Sequence, residues 1–149
     1  MTLKSVTVAK TRKLPTWYTP VTKELLREIT QRIVDEFQPE RIILFGSYAN
    51  GNPTIHSDID LLVVTKKMAR ESVFVRSRQV SNLFPQRNFG VDILVRTPHE
   101  VNTRLEMGDN FMRDIIERGS ILYARKRRRR IDSRSRKRLQ KRARSHTPT

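Results

Sequence analysis

Two aspartates one residue apart, Asp58 and Asp60, open an apolar run of Ile59, Leu61, Leu62, Val63 and Val64. In a strand alternate residues share a face, so both carboxylates project opposite Ile59, with Cα atoms about 6–7 Å apart. Like charges that close repel, and burying either one unpaired is costly. A bound cation offsets both problems, and Mg²⁺ suits the pattern because it binds through one or two carboxylates plus substrate phosphates. A plainer arrangement fits the same residues: Asp58 caps a turn and Asp60 pairs with an arginine. Upstream, Gly46-Ser47 follows the apolar run Arg41 to Phe45. A strand that turns into a helix there directs backbone N–H groups outward, where they can hold an anion. Gly46 would let the backbone approach a phosphate and the Ser47 hydroxyl would bond its oxygen, although a turn glycine with an N-cap serine reads the same way. Asp92 is a lone acid within Val91 to Val95, and such acids are rarely buried without a partner. If its strand lies beside that of Asp60, three carboxylates converge, enough for two ions about 3.5–4 Å apart at a phosphoryl displacement. A salt bridge to Arg41 or Arg96 is the alternative for Asp92. The conjunction, in this order along the chain, favours phosphoryl chemistry.

The elements that must position these residues follow from the apolar pattern. Thr19-Pro20 resembles a helix start, and Val21, Leu25, Ile29, Ile33, Val34 and Phe37 recur at helical spacing until Pro39. Arg41 to Phe45 reads as a strand, Ser47 to Asn50 as a helical turn, and Ile59 to Thr65 as a second strand. A helix over Arg70 to Phe84, a turn over Pro85 to Gly90 and a strand over Val91 to Val95 come next. Helices over Pro98 to Met107 and Asn110 to Arg118 follow, with Gly119 ending the second and Ile121 to Tyr123 as a last apolar clip. The expected fold class is α/β of the α+β type, a small mixed sheet flanked by helices. No internal repeat is visible.

Gly46-Ser47, ten intervening residues, Asp58-Ile59-Asp60 and a later strand bearing Asp92 together resemble the signature of the DNA polymerase β-like nucleotidyltransferase superfamily. The compact layout is most similar to the minimal nucleotidyltransferases. Leu61 to Val64 fits the strand after the acidic pair, and Gly108 to Tyr123 is similar to the usual close of that domain. The resemblance covers Thr19 to Ala124. It implies transfer of NMP from an NTP, AMP from ATP in the leading case, with loss of pyrophosphate. Gly46 and Ser47 would hold the triphosphate, Asp58 and Asp60 would bind Mg²⁺, and Asp92 would complete a two-metal site that activates the acceptor hydroxyl. By analogy with the family, the acceptor would be a tyrosine of a HEPN-type toxin, with this chain as its antitoxin. Two other readings compete. One is a non-catalytic binding module that neutralises a partner or docks nucleic acid. The other is a transferase to a small acceptor such as an aminoglycoside, disfavoured because the chain has no room for an acceptor-binding domain.

The charge is unevenly placed. Of 31 Lys and Arg and 15 Asp and Glu, 13 bases and one acid fall in residues 125–149, which hold +12 of the net +16. The expected organisation is therefore a lead-in over 1–18, a nucleotidyltransferase domain over 19–124 and a basic, disordered tail over 125–149. That tail could contact nucleic-acid backbone non-specifically, but without aromatic residues it would not read sequence. With 36% hydrophobic residues the chain can bury a core, and without cysteine it has no disulfide or thiolate metal site. No run approaches a membrane span and the N-terminus lacks a secretory apolar core, so the expectation is a cytoplasmic protein. A homodimer is a fair expectation for a small domain. His56 reads as solvated, His99 and His146 show no ligand spacing, and Trp17 and Tyr18 read as an anchor before the first helix. Arg76 and Arg78 either face the site or solvate their helix.

Overall fold

A computed structural model of the protein describes residues 15–127 other than 17 and 86, together with Lys141. The expectations for Trp17, His146, most of the lead-in and the bulk of the basic tail lie outside the described residues. Among the described residues nine elements follow in the order α1 (Lys23–Phe37), β1 (Arg41–Phe45), α2 (Gly46–Asn50), β2 (Ile59–Val64), α3 (Val73–Ser81), β3 (Val91–Arg96), α4 (Pro98–Glu106), α5 (Asn110–Arg118) and β4 (Ser120–Ala124). Helix α1 starts later than Thr19-Pro20 suggests, because Thr22 is the residue that caps it, accepting from the Leu25 N–H at 3.1 Å. It ends where Gln38 turns left-handed, at φ 46°, and donates to the Val34 carbonyl ahead of Pro39. Helix α3 is shorter than expected, since Ser72 caps it at one end and Asn82 closes it at the other. Thr97 and Glu100 form a reciprocal capping box at the start of α4, and Asp109 caps α5.

The sheet has the order β3-β2-β1-β4, with β2 and β3 parallel and the other neighbours antiparallel. The segment expected to be only an apolar clip is thus a strand, β4, at the edge beside β1. Alternation along β2 divides the core between two faces. Ile59, Leu61 and Val63 pack with Ile29, Ile33 and Phe37 of α1, while Leu62 and Val64 pack with Val101 of α4 and Met112 and Ile115 of α5. Each such aliphatic side chain contributes about 1.5–3 kcal/mol by leaving water. Asp60 and Asp92 follow the parity of Leu62 and Leu94, so they stand at one end of the face shared with α5. No helix among the described residues is long and apolar enough to cross a membrane.

Candidate active site

Strand β1 runs into α2 without an intervening loop, and Gly46 takes the turn at φ +71°. The residue at the capping position is Phe45, which makes no side-chain cap bond, so Ser47 lies inside the helix instead of capping it. A Cβ on Gly46 would collide with Oδ2 of Asp60, opposite Phe45 on the neighbouring strand. The glycine is therefore required twice, by its left-handed backbone and by the carboxylate packed against it. Gly90 makes the same allowance for Asp58, whose Oδ1 occupies the space of the missing Cβ. Gly46→Ala is expected to cost about 1–3 kcal/mol of stability and to displace the Asp60 carboxylate. Chemical denaturation checks the first effect and nucleotide binding the second.

Asp60 and Asp92 are directly paired across the parallel β2–β3 ladder. The adjacency on which their convergence depends is present. Asp58 lies just before β2 and is exposed, one residue outside the strand that the alternation assigned it to. Nor does it cap the preceding turn: Thr54 and Ser57 supply those hydrogen bonds, from the Thr54 N–H to the Ser57 hydroxyl at 2.8 Å and from the Ser57 N–H to the Thr54 carbonyl. Half-buried Asp60 has its carboxyl pushed above the usual range, first by burial, then by the charges of Asp92 and Asp58. Among the described residues no ion pair includes any of the three aspartates. The arginines proposed as partners are engaged or distant. Arg96 donates through Nη1 to the Val95 carbonyl, and Arg41 sits at the far end of β1, opposite Val64.

A family model described as "Nucleotidyltransferase domain" matches residues 26–142. The chain belongs to that family. Two relatives from Methanocaldococcus jannaschii match shorter stretches: "Putative protein adenylyltransferase MJ1379", 46% identical over 41 residues, and "Putative protein adenylyltransferase MJ0141", 40% identical over 48. The matched stretches are 28% and 32% of this chain and 41% and 46% of those relatives, so each spans less than half the relative's length. A solved structure described as a putative nucleotidyltransferase from Sulfolobus solfataricus is 28% identical, with a TM-score of 0.49, covering 68% of this chain and 79% of that one. The resemblance carried by Gly46-Ser47 and the three aspartates is borne out at the level of the family.

For this nucleotidyltransferase domain, the fit of a divalent ion rests on the donors themselves. Asp60 and Asp92 offer oxygen ligands side by side, uncompensated by any cation among the described residues. The third ligand is less prepared: no group of three or more His, Asp or Glu among the described residues is gathered closely enough to hold an ion. Two carboxylates suffice for Mg²⁺ when substrate phosphates and water fill the remaining positions.

Two cavities border two of the three acids, Asp60 and Asp58, and Asp92 lines neither. One of about 290 Å³ is bordered by Gly46, Asn50, Asp60, Phe111 and Arg118. The other, about 350 Å³, is bordered by Tyr18, Tyr48, His56, Asp58 and Arg87. Sequence reasoning placed Tyr18 as an anchor and did not single out Tyr48; in the structure the Tyr48 hydroxyl is pushed up by burial and by its hydrogen-bonded neighbour Tyr18, with the Asp58 charge adding. His56 borders this second cavity, whereas exposed His99 borders a different one beside α4. Arg76 is not a site residue. It is buried in α3 and binds Glu100 of α4 through Nη1, with the Ala69 and Glu71 carbonyls taking its remaining hydrogen bonds. Arg78 is exposed.

Proposed function

We propose that the protein transfers AMP from ATP to a hydroxyl of a partner protein, as the antitoxin of a HEPN-type toxin pair. The observation that carries the chemistry is the register of Asp60 against Asp92, with Gly46 packed on the first of them. The names of the archaeal relatives support protein as the acceptor class, and the toxin partner rests on family analogy. Gly46 and Ser47 hold the triphosphate. Asp60 and Asp92, joined by Asp58, are the residues that would hold Mg²⁺. When bound, the ion would neutralise charge on the phosphates and lower the proton affinity of the acceptor hydroxyl. The exposed Asp92 carboxylate accepts that hydroxyl's proton. The oxygen attacks the α-phosphorus in line, a new O–P bond forms, and the bond to the β-phosphate oxygen breaks to release pyrophosphate. Positioning and electrostatics supply most of the acceleration.

Incubation with α-labelled ATP and Mg²⁺, with and without the protein encoded by the neighbouring gene, tests this directly. Label on the neighbour identifies both enzyme and acceptor. No label with any nucleotide or neighbour, from a folded protein, overturns the reading.

A further inference from the structure

An exposed phenylalanine borders the cavity that contains Gly46 and Asp60. Phe111, in the first turn of α5, is 58% exposed, whereas its neighbour Met112 and Ile115 one turn on are buried beneath the sheet face. The Phe111 ring meets Phe45 edge to face, with centroids 5.8 Å apart and planes at 84°. Phe45 in turn packs against the buried cluster formed by Ile43, Leu62 and Met112. An aromatic side chain is thus held on one side by the core while the residue stays more than half exposed. Single exposed apolar residues are common and need no explanation. Phe74, for example, is 84% exposed on α3. Phe111 differs because the space beside it is continuous with the acidic site: one cavity of about 290 Å³ touches Phe111 and Phe45 as well as Gly46 and Asp60. That volume lies near the lower end of the range for ligand clefts, roughly 300–1,000 Å³.

We infer that Phe111 is the platform on which the base of the bound nucleotide stacks, with Phe45 holding its ring in place. The inference rests on the reading of Gly46 and Asp60 as the nucleotide site. A triphosphate at Gly46 and a base on Phe111 would place two parts of one nucleotide along the lining of a single cavity. Stacking on an aromatic face is tolerant of base identity, because every base has a π-face. Phe111 therefore supplies affinity for nucleotides as a class more than a choice among them.

Calorimetric titration with Mg·ATP and with Mg·tripolyphosphate separates the base from the phosphates. Phe111→Ala is expected to weaken Mg·ATP binding about tenfold, within the range for loss of one stacked base, and to leave Mg·tripolyphosphate binding unchanged. Phe111→Leu, which keeps an apolar contact with Phe45, is expected to lose the same factor for ATP, and Phe111→Trp to retain wild-type affinity. ATP binding unchanged in the Ala and Leu variants overturns the inference alone, as does an equal loss for both ligands. A wild-type protein that binds neither ligand overturns the inference together with the nucleotide site on which it rests.

Discussion

Asp60→Asn is expected to lower transfer by about 10³-fold or more, beyond the loss usually seen when one preorganised electrostatic contact to a transition state is removed, and to raise the thermal midpoint of the Mg²⁺-free protein at neutral pH. The two effects have one cause. Asp60 stands half-buried beside Asp92 and Asp58, and its carboxyl is raised above the ordinary range by burial and by those charges. A carboxyl raised by folding favours the native state while it is protonated, so its contribution is full below the ordinary carboxylate pKa. That contribution is lost as pH rises through the elevated value. Asparagine stays neutral throughout, so its advantage over the wild type should open as pH rises across that range and close again in acid. Thermal melts of both proteins in chelator across the acidic to neutral range, alongside the transfer assay, measure this. A variant less stable than the wild type at neutral pH would contradict the picture of uncompensated repulsion, and retained transfer would remove Asp60 from the chemistry. Excess Mg²⁺ should stabilise the wild type more than the variant, since an ion that binds only the folded protein adds to its stability.

The second large effect is on the fold. Arg76→Ala is expected to cost about 3 kcal/mol, at the lower end of the usual loss for breaking a buried ion pair. The lower end applies because the pair is only half enclosed: the Arg76 side chain is 5% exposed and that of Glu100 32%. Both Glu100 oxygens accept from Nη1, at 3.0 and 2.8 Å, and Oε2 also accepts from the Thr97 N–H at 2.9 Å. Burial pushes the Glu100 carboxyl up, but the Arg76 hydrogen bonds, the Thr97 N–H and the nearby cations outweigh it and hold the carboxyl below the usual range. Stability from a depressed carboxyl is present above its unfolded pKa and lost as pH falls through the folded value. The wild type should therefore lose stability in acid more steeply than Arg76→Met, in which the pair is absent but the apolar stem is kept. Urea denaturation at neutral and acidic pH measures both quantities. A loss under about 1 kcal/mol for Arg76→Ala would assign the pair the small value of an exposed bridge.

The strands β1 to β3 and four of the helices are legible in the sequence because their apolar residues are periodic and their ends carry strong stop signals, such as Pro39 and Gly119. The candidate site stands out for a different reason: acids inside an apolar run are costly enough to be noticed, as Asp60 and Asp92 are. Strand β4 is hidden because, unlike the other edge strand β3, it buries almost nothing. It has no fully buried residue, and Ile121 is 62% exposed, so burial leaves little mark on its composition. The start of α1 is ambiguous in the sequence because Thr19-Pro20 and Thr22 are both acceptable caps, and it is the Thr22 hydroxyl that accepts from a helix N–H. Arg76 carried a readable signal, as it sits four residues before fully buried Val80 and hence on the apolar side of α3. The role of Gly90 has no local signal at all. It arises from the approach of Asp58 across the start of the parallel ladder, a contact between segments some thirty residues apart.

The pairing of β1 with β4 has a consequence for how the molecule comes into being. Strand β1 leads straight into Gly46, yet one of its two neighbours, β4, is made some eighty residues later in the chain, with Arg41 opposite Ala124. Synthesis proceeds at about 5–20 residues per second, so β1 waits several seconds or more on the ribosome before its outer partner exists. Contacts this far apart in sequence slow the search for the native state. Until β4 arrives, one side of β1 is an open edge able to pair with another chain. The step that covers this side of β1, beside the turn at Gly46, thus moves the sheet's edge outward to the short, largely exposed strand β4.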